Sequence, residues 1–490
     1  MKLVHVVCVL VMLTAACAPA AEPGGAPNSA SLVGTPSIVA PPTSTRPPPP
    51  TAKTPTPTQA VKAMPEPTVD NQSRIQPTAP PQATVINCKQ KAGVPLDAKK
   101  GEAAFVSGMN RFGFDYYRAV TDGEGKSANL IYSPYSISTA FSMVYAGACS
   151  NTETQIAKVL GFLPQASHHA ASETLQRRLD ELAFRPVPNQ RTGNLPFQLR
   201  DANAVWGQTG YPFADAYQRV LAEHYGSRVR PVDFISDVEG GRKLVNDRMW
   251  KETEQHIKDI LPEGSVDMYT RLILANAIYF KALWQYPFLE EATEPGSFTL
   301  LDGSRVTVPM MTQDDDALTY AATKDYEAAV LPYAGDGAEM VLIVPKTGKF
   351  EKVDAGLDAE FLEAVRAKTT KGEAHITMPR FKFQSAPELH ETLSQMGMPD
   401  AFCEELNANF TGMNKFGINE LCISKAFHRA TFEVNEKGTE AAAATVTVIR
   451  LVSGRQDPPN HLVVDRPFVF AIVEKETVAV LFIGRVMSPK

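Results

Sequence analysis

Residues 433–445 read Glu-Val-Asn-Glu-Lys-Gly-Thr-Glu-Ala-Ala-Ala-Ala-Thr, and the fold turns on how this run is read. Taken alone, Thr439–Ala444 is a short helix: a capping hydroxyl, then a glutamate and alanines. The flanks disagree. A β-rich run precedes it, and Val446-Thr447-Val448-Ile449 follows. Beyond lies Ser453-Gly454-Arg455-Gln456-Asp457-Pro458-Pro459-Asn460, the composition of an exposed loop. A second reading suits both flanks: a segment able to change partners, with side chains small enough to slide into a packed sheet. As a strand it turns Thr439, Ala441, Ala443 and Thr445 to one side and Glu440 to the other.

Outward from this run the composition is globular from about Gly101 to Lys490. Ala103–Val120 shows helical apolar spacing (Phe105, Met109, Phe112, Tyr116), and Ile137–Ala148 continues in the same way. Leu272–Leu283, Glu339–Pro345 and Val478–Val486 read as strands. Helices dominate the first third and strands the rest, which predicts an α+β fold with a large mixed sheet rather than a βαβ repeat. Arg185-Pro186-Val187-Pro188 opens a polar loop.

The whole chain has 490 residues, with 48 Lys+Arg against 54 Asp+Glu, a net charge of −6. With 44% hydrophobic and 21% charged residues it is neither disordered throughout nor fibrous. The acidic balance argues against a nucleic-acid partner. A mean hydropathy of −0.17 and the lack of an apolar run of about 18 residues exclude a polytopic membrane protein. Length alone suggests two or three domains.

Catalytic signatures fail one by one. There is no G-x-S-x-G elbow. His390-Glu391-Thr392-Leu393-Ser394 lacks the second histidine of a zinc motif. Gly125-Lys126-Ser127 resembles the end of a phosphate loop, but Val120 stands where the leading glycine is needed. His428 with Ser133 or Ser424 suggests a hydrolase triad only on paper; a buried structural histidine is the better reading. No metal, phosphate or other cofactor constellation remains, so none is expected.

The N-terminus reads as export. Lys2 is followed by an apolar stretch, Leu3–Ala16, too short to cross a bilayer. Leu13-Thr14-Ala15-Ala16-Cys17 resembles a bacterial lipobox in which Cys17 is lipidated, although Thr14 is a departure. Cleavage after Ala18-Pro19-Ala20 is the alternative. Residues 18–90 are Pro- and Thr-rich (Pro47-Pro48-Pro49-Pro50, Thr54-Pro55-Thr56-Pro57-Thr58) and form an extended tether that buries no core. Of the six cysteines, Cys88, Cys149, Cys403 and Cys422 remain after processing at Cys17. Cys403 and Cys422 could pair in an oxidising compartment; their spacing does not require it.

The run at 433–445 resembles the hinge of the reactive-centre loop of serpins. Other motifs support the resemblance in family order over about 390 residues. They are Asn129-Leu130-Ile131-Tyr132-Ser133-Pro134-Tyr135-Ser136-Ile137, Asn203-Ala204-Val205-Trp206, Val232-Asp233-Phe234 and Asn276-Ala277-Ile278-Tyr279-Phe280-Lys281-Ala282-Leu283-Trp284. Leu331-Pro332-Tyr333, Met378-Pro379-Arg380-Phe381, Asp465-Arg466-Pro467-Phe468 and Leu481-Phe482-Ile483-Gly484-Arg485-Val486 complete the set. The resemblance implies one large domain over 91–490, with about nine helices, three β-sheets and an exposed reactive-centre loop. This replaces the two-or-three-domain expectation.

It also implies a function: not an enzyme but a monomeric inhibitor that traps serine proteases, and possible cysteine proteases, in a covalent complex. The cleaved loop then enters the main sheet as a new strand. The hinge, Glu436 and Gly438 with Thr439, Glu440, Ala441, Ala442, Ala443, Ala444 and Thr445, carries no bulky or charged residue on its inward face. Counting seventeen residues from Glu436 places the reactive bond at Val452–Ser453, which suits an elastase-like protease. Arg450 and Arg455 are trypsin-like alternatives. Ser133, Ser136, Asn276 and His428 resemble the polar cluster beneath the opening sheet, and Trp284 the tryptophan where insertion begins. Ala282, Arg429 and the pair Cys149-Ser150 depart from the family's usual Gly, Lys and Lys-Gly. The alternative is a non-inhibitory member that is cleaved as a substrate or serves as a binding or chaperone module. The lipobox and tether imply a lipid-anchored protein at a bacterial surface or in the periplasm.

Overall fold

The computed structural model describes residues 95–122, 127–183, 197–387, 389–404, 407–439 and 460–490, with the backbone alone at 197, 314–317 and 373. The expected leader (1–17) with Cys17, the whole tether (18–90), Glu440–Thr445, Arg450, Val452, Ser453 and Arg455 lie outside the described residues. Ala79–Lys490 forms one compact unit.

Helix α1 (Ala98–Thr121) starts where the Asp97 carboxylate accepts the N–H of Lys100 at 3.0 Å. Strand β1 (Leu130–Tyr132) leads to α2 (Pro134–Tyr145), capped by the Ser133 hydroxyl with proline in its first turn. Helices α3 (Ser150–Leu160) and α4 (Gln165–Ala183) follow. Ser150 sits at φ +56, the region that favours glycine. Then come β2 (Phe197–Gln208), α5 (Asp215–Tyr225), β3 (Arg230–Val232), α6 (Val238–Glu252) and β4 (Leu272–Leu283). The rest is mainly strand: β5 (Glu294–Thr299), β6 (Arg305–Ala322), β7 (Tyr326–Pro332) and β8 (Ala338–Pro345). After α7 (Phe350–Ala355) and α8 (Ala359–Lys368) come β9 (Thr370–Pro379), β10 (Phe381–Ser385), α9 (His390–Met396), β11 (Lys425–Asn435) and β12 (Gly438–Thr439). The chain closes with β13 (Asn460–Val463), β14 (Phe468–Glu474) and β15 (Val480–Val486).

The strands form an α+β architecture. One sheet runs β10-β11-β12-β4-β2-β3. A second network runs β1-β15-β14-β8-β7-β6-β9-β13, with β5 on β6. The long β6 serves two sheets there. Its start pairs with β5 and its end with β7, while β9 runs beside it from Met310 to Tyr320, so among the described residues there are three sheets, two of them joined through β6. Among the described residues there are nine α-helices. Strand β4 is buried along almost its whole length because α2 covers one face and the α6 region the other. Strand β11 alternates exposed or half-buried with buried residues at a strict period of two. Cys403 and Cys422 are joined, their Cα atoms 5.0 Å apart, which closes the question that spacing left open.

Candidate functional site

The site grows from the end of β11. Asn435 folds the chain back: its side-chain oxygen accepts the N–H of Lys437 at 3.0 Å and of Gly438 at 3.3 Å. The return strand β12 then enters the sheet. Gly438 lies opposite Asn435 and Leu283, and Thr439 opposite Val434 and Ala282. A Cβ on Gly438 would strike the carbonyl oxygen of Ala282, so this close approach requires glycine. Lower down, β4 and β11 pair directly and in parallel, from Lys425 opposite Ile273 to Thr431 opposite Tyr279. The sheet is therefore closed along its lower part and parted at its upper end by a two-residue wedge.

The wedge is held from several sides. Thr439 is fully buried, its hydroxyl 2.7 Å from that of Tyr333. Tyr333 stacks on Trp284 with ring centroids 4.6 Å apart and planes 9° from parallel. The Trp284 indole N–H donates to the Asn435 carbonyl at 3.0 Å, and its backbone N–H donates to the Lys437 carbonyl at 2.8 Å. Glu436 is buried, paired with Arg380, and accepts the Thr293 hydroxyl at 2.7 Å. Burial alone would raise its carboxyl, but the hydrogen bonds from Arg380 and Thr293 outweigh it and hold the group below the usual carboxylate range.

Beneath the parted end sits a polar cluster. His428 and Asn276 face each other across β11 and β4. The His428 Nε2 accepts the backbone N–H of Ser133 at 3.2 Å, so the ring proton belongs on Nδ1, which donates to Asn276 Oδ1. The Asn276 amide donates to the Ser136 carbonyl at 2.8 Å, to its hydroxyl at 2.5 Å, and to Asn203. The Ser136 hydroxyl donates to Asp201, and the Asn203 amide donates to the same carboxylate at 2.6 Å. Ser133, Ser136, Asn276 and His428, assigned together from sequence, thus do converge. Trp284 stands above them against the hinge.

Burial drives the His428 imidazole down to about 3, so it is neutral at ordinary pH. Desolvation pushes the Asp201 carboxyl up to about 7, against the pull of the Ser136 hydroxyl. A hydrolase role for His428 has no geometry to support it. Its Nε2 is occupied by a backbone N–H, and the Ser133 hydroxyl caps α2 by accepting the Ser136 N–H at 3.0 Å. Among the described residues no group of three His, Cys, Asp or Glu side chains is placed to hold a metal ion.

Sequence reading missed Asp201, Asn203, Tyr333, Arg380 and Thr293 as members of the site. Asn203, Tyr333 and Arg380 lay inside the quoted motifs; Asp201 sits two positions before Asn203 on the same face of β2, which was the available signal.

The family model described as serpin (serine protease inhibitor) matches residues 107–489. Antithrombin-III of Mus musculus is 34% identical over 383 residues, covering 78% of this chain and 80% of its own length. Serpin B6 of Macaca fascicularis is 36% identical over 373 residues, covering 75% of this chain and 96% of its own. A serpin-like protein of Thermococcus kodakarensis is 34% identical over 390 residues, covering 79% and 87%. Among solved structures, uncleaved ovalbumin superposes with a TM-score of 0.68 at 26% identity, covering 79% of this chain and all of that one. Human thyroxine-binding globulin gives 0.68 at 27%, covering 80% and 100%.

Proposed function

The chain belongs to the serpin family, and from this premise we propose that it inhibits serine proteases as a single-use trap. The target's serine oxygen bonds to the carbonyl carbon of Val452, the Val452–Ser453 peptide bond breaks, and Ser453 leaves as the new amine. The freed loop then extends β12 downward between β4 and β11, carrying the acyl-linked protease with it before water can release it. One observation carries this reading: the hinge residues Gly438 and Thr439 already lie between those strands, with glycine where the approach is closest and a small buried side chain next. Every further strand residue replaces a β4–β11 contact by two ladders.

In this reading Ser133, Ser136, Asn276 and His428 hold the lower half shut until the loop arrives, and Trp284 fixes the point of entry. Val452 favours an elastase-like target, with Arg450 and Arg455 as the trypsin-like registers; cysteine proteases that form the analogous thioester are a secondary class. The same proposal includes export, a lipid on Cys17, a tether over 18–90, a monomeric body from 91, and display at a bacterial surface or in the periplasm.

The test mixes the protein with elastase-like, trypsin-like and subtilisin-like proteases and resolves the products on a denaturing gel. A band at the summed mass, with a released peptide beginning at Ser453, is expected. Clean cleavage without that band would make the protein a substrate, as a non-inhibitory member would be. For the anchor, Cys17→Ser should release the protein from membranes. Retention through an acyl group would refute the lipid assignment.

A further inference from the structure

Two histidines outside the hinge site stand side by side at an edge of the second strand network. His461 lies on β13 and His375 on β9, and the parallel register of these strands sets the two residues opposite each other. Residues paired across neighbouring strands project from the same face. Here the rings meet edge to face, with centroids 5.8 Å apart and planes at 76°. His461 is exposed and His375 half-buried. We propose that this pair is a metal site: the two imidazoles chelate one divalent transition-metal ion and clip β13 to β9.

The donors choose the metal. Imidazole nitrogen suits Cu2+, Ni2+ and Zn2+ rather than Mg2+ or Ca2+, and Cu2+ binds such a site more tightly than Ni2+ or Zn2+. With metal–nitrogen bonds of about 2.0–2.1 Å, two imidazoles on one ion have ring centres about 4.5–6 Å apart. The pair therefore needs little more than ring rotation. A metal-bound histidine keeps its other nitrogen on a hydrogen-bond partner. For His461 that partner is Thr377, two residues beyond His375 on the same face of β9. Its hydroxyl lies 3.0 Å from His461 Nε2 and 3.1 Å from the Thr312 hydroxyl of β6. With the ring proton on Nε2 and donated to Thr377, Nδ1 carries the lone pair that takes the metal. Water completes the coordination on the exposed side.

The place of the pair gives the clip a consequence. Strand β13 is four residues long and ends the strand order, with β9 its one neighbour among the described strands. A short edge strand on a single ladder opens more readily than an interior one. Its far end is well fastened: Leu462 is fully buried, the Val464 N–H donates to the Thr377 carbonyl at 2.8 Å, and the Asp465 carbonyl accepts the Thr299 N–H at 2.7 Å. Its near end, Asn460 and His461, is exposed. The metal thus acts where the strand is least buried, and an opening of β13 that parts the two rings must first release it. The site is independent of the trapping reaction.

The test uses the full-length, untagged protein, stripped of metal by a chelator and held at pH 7.5. CuCl2 and ZnCl2 are titrated in separately, followed by calorimetry and, for Cu2+, by electron paramagnetic resonance. One equivalent of each metal should bind at this site, Cu2+ more tightly, with nitrogen couplings from two imidazoles in the copper spectrum. His461→Gln and His375→Gln should each weaken binding at least about tenfold and leave the coupling of one imidazole. His256→Gln, a change at an exposed histidine outside the pair, should alter neither. Because His461 is exposed, its variant should keep the parent's thermal midpoint without metal, and it decides the case should His375→Gln fold poorly. With metal at about ten times its dissociation constant, amide hydrogen exchange over 460–463 should slow about tenfold in the parent and not in His461→Gln. No binding of either metal, or binding that His461→Gln retains unchanged, overturns the site. Binding without slower exchange in β13 overturns the clip.

Discussion

Thr439 sets the chemistry of a fully enclosed hinge position. Its side chain is fully enclosed and its hydroxyl is satisfied by Tyr333. Thr439→Arg would need to bury a guanidinium with no partner, at a cost of several kcal/mol. The expected result is a hinge expelled from the sheet and insertion slowed against ester hydrolysis, so that most of the inhibitor is cleaved without trapping. Stoichiometry on a denaturing gel should rise at least about tenfold, since 1.4 kcal/mol is one decade. Unchanged trapping would place the start of insertion elsewhere. Asp201 makes a second residue-scale case. Its folded pKa, about 7, lies above the unfolded value of about 3.9. The fold therefore holds that proton more tightly than the unfolded chain does, and stability falls as pH rises through that window. Asp201→Asn can keep its oxygen on Asn203 and turn its N–H toward Ser136. It should gain about 2 kcal/mol at pH 8 and little at pH 4, read by thermal unfolding. The sequence pointed to Thr439 and Trp284 through small and aromatic side chains in ordered motifs, and both lie at the upper end of β4, linked through Tyr333. The charge on Asp201 was not, because its meaning comes from Ser136, 65 positions away.

Elements were legible where one face decides them. The apolar run of β4 announces a fully buried strand, whereas β11 was read only as a β-rich run before the hinge, its alternating burial appearing in the structure. The alanine-rich hinge was ambiguous because alanine suits a helix and also fits a strand slot. Its described portion, Gly438–Thr439, is strand, decided by β4 and not by propensity. Strand β6 was hidden for a related reason: eighteen residues that exchange β5 for β7 along one edge while β9 stays on the other leave no break in composition. The Cys403–Cys422 bond ties the segment after α9 to the approach of β11, with a sequence separation of 19. Closing a loop of that length is worth about 3 kcal/mol of chain entropy. Replacing both cysteines by serine should lower unfolding stability by that order, with the trapping reaction retained. A denaturant midpoint equal to the parent's would show that the unfolded chain is not constrained by the bond.

The whole molecule should weaken in acid, and the sign follows from three buried groups. Burial pushes His428 and His169 down to about 3, the latter with help from neighbouring His224. Their unfolded value is about 6.5. Between these limits the unfolded chain takes up two protons that the fold refuses, so each histidine removes about 1.4 kcal/mol per pH unit as pH falls. Asp201 acts in the opposite sense from about pH 7 down to about 4. Two losses against one gain leave a net loss of about 1.4 kcal/mol per unit below pH 6.5, or about 2 kcal/mol by pH 5. His168, lowered in the same direction by burial, steepens the fall. Thermal midpoints measured from pH 5 to 8 should drop on the acid side. His428→Gln should flatten the slope and Asp201→Asn should steepen it. The location of His428 links this response to function. A protonated ring presents N–H to the Ser133 N–H, donor against donor, at the β4–β11 seam that parts in the proposed mechanism. Acid should thus loosen the closed half of the sheet before it unfolds the body. Inhibitory activity, assayed after incubation at pH 5 and return to pH 7.5, should decay faster than after incubation at pH 7.5 throughout. Equal decay at both pH values would detach the His428 cluster from the opening of the sheet.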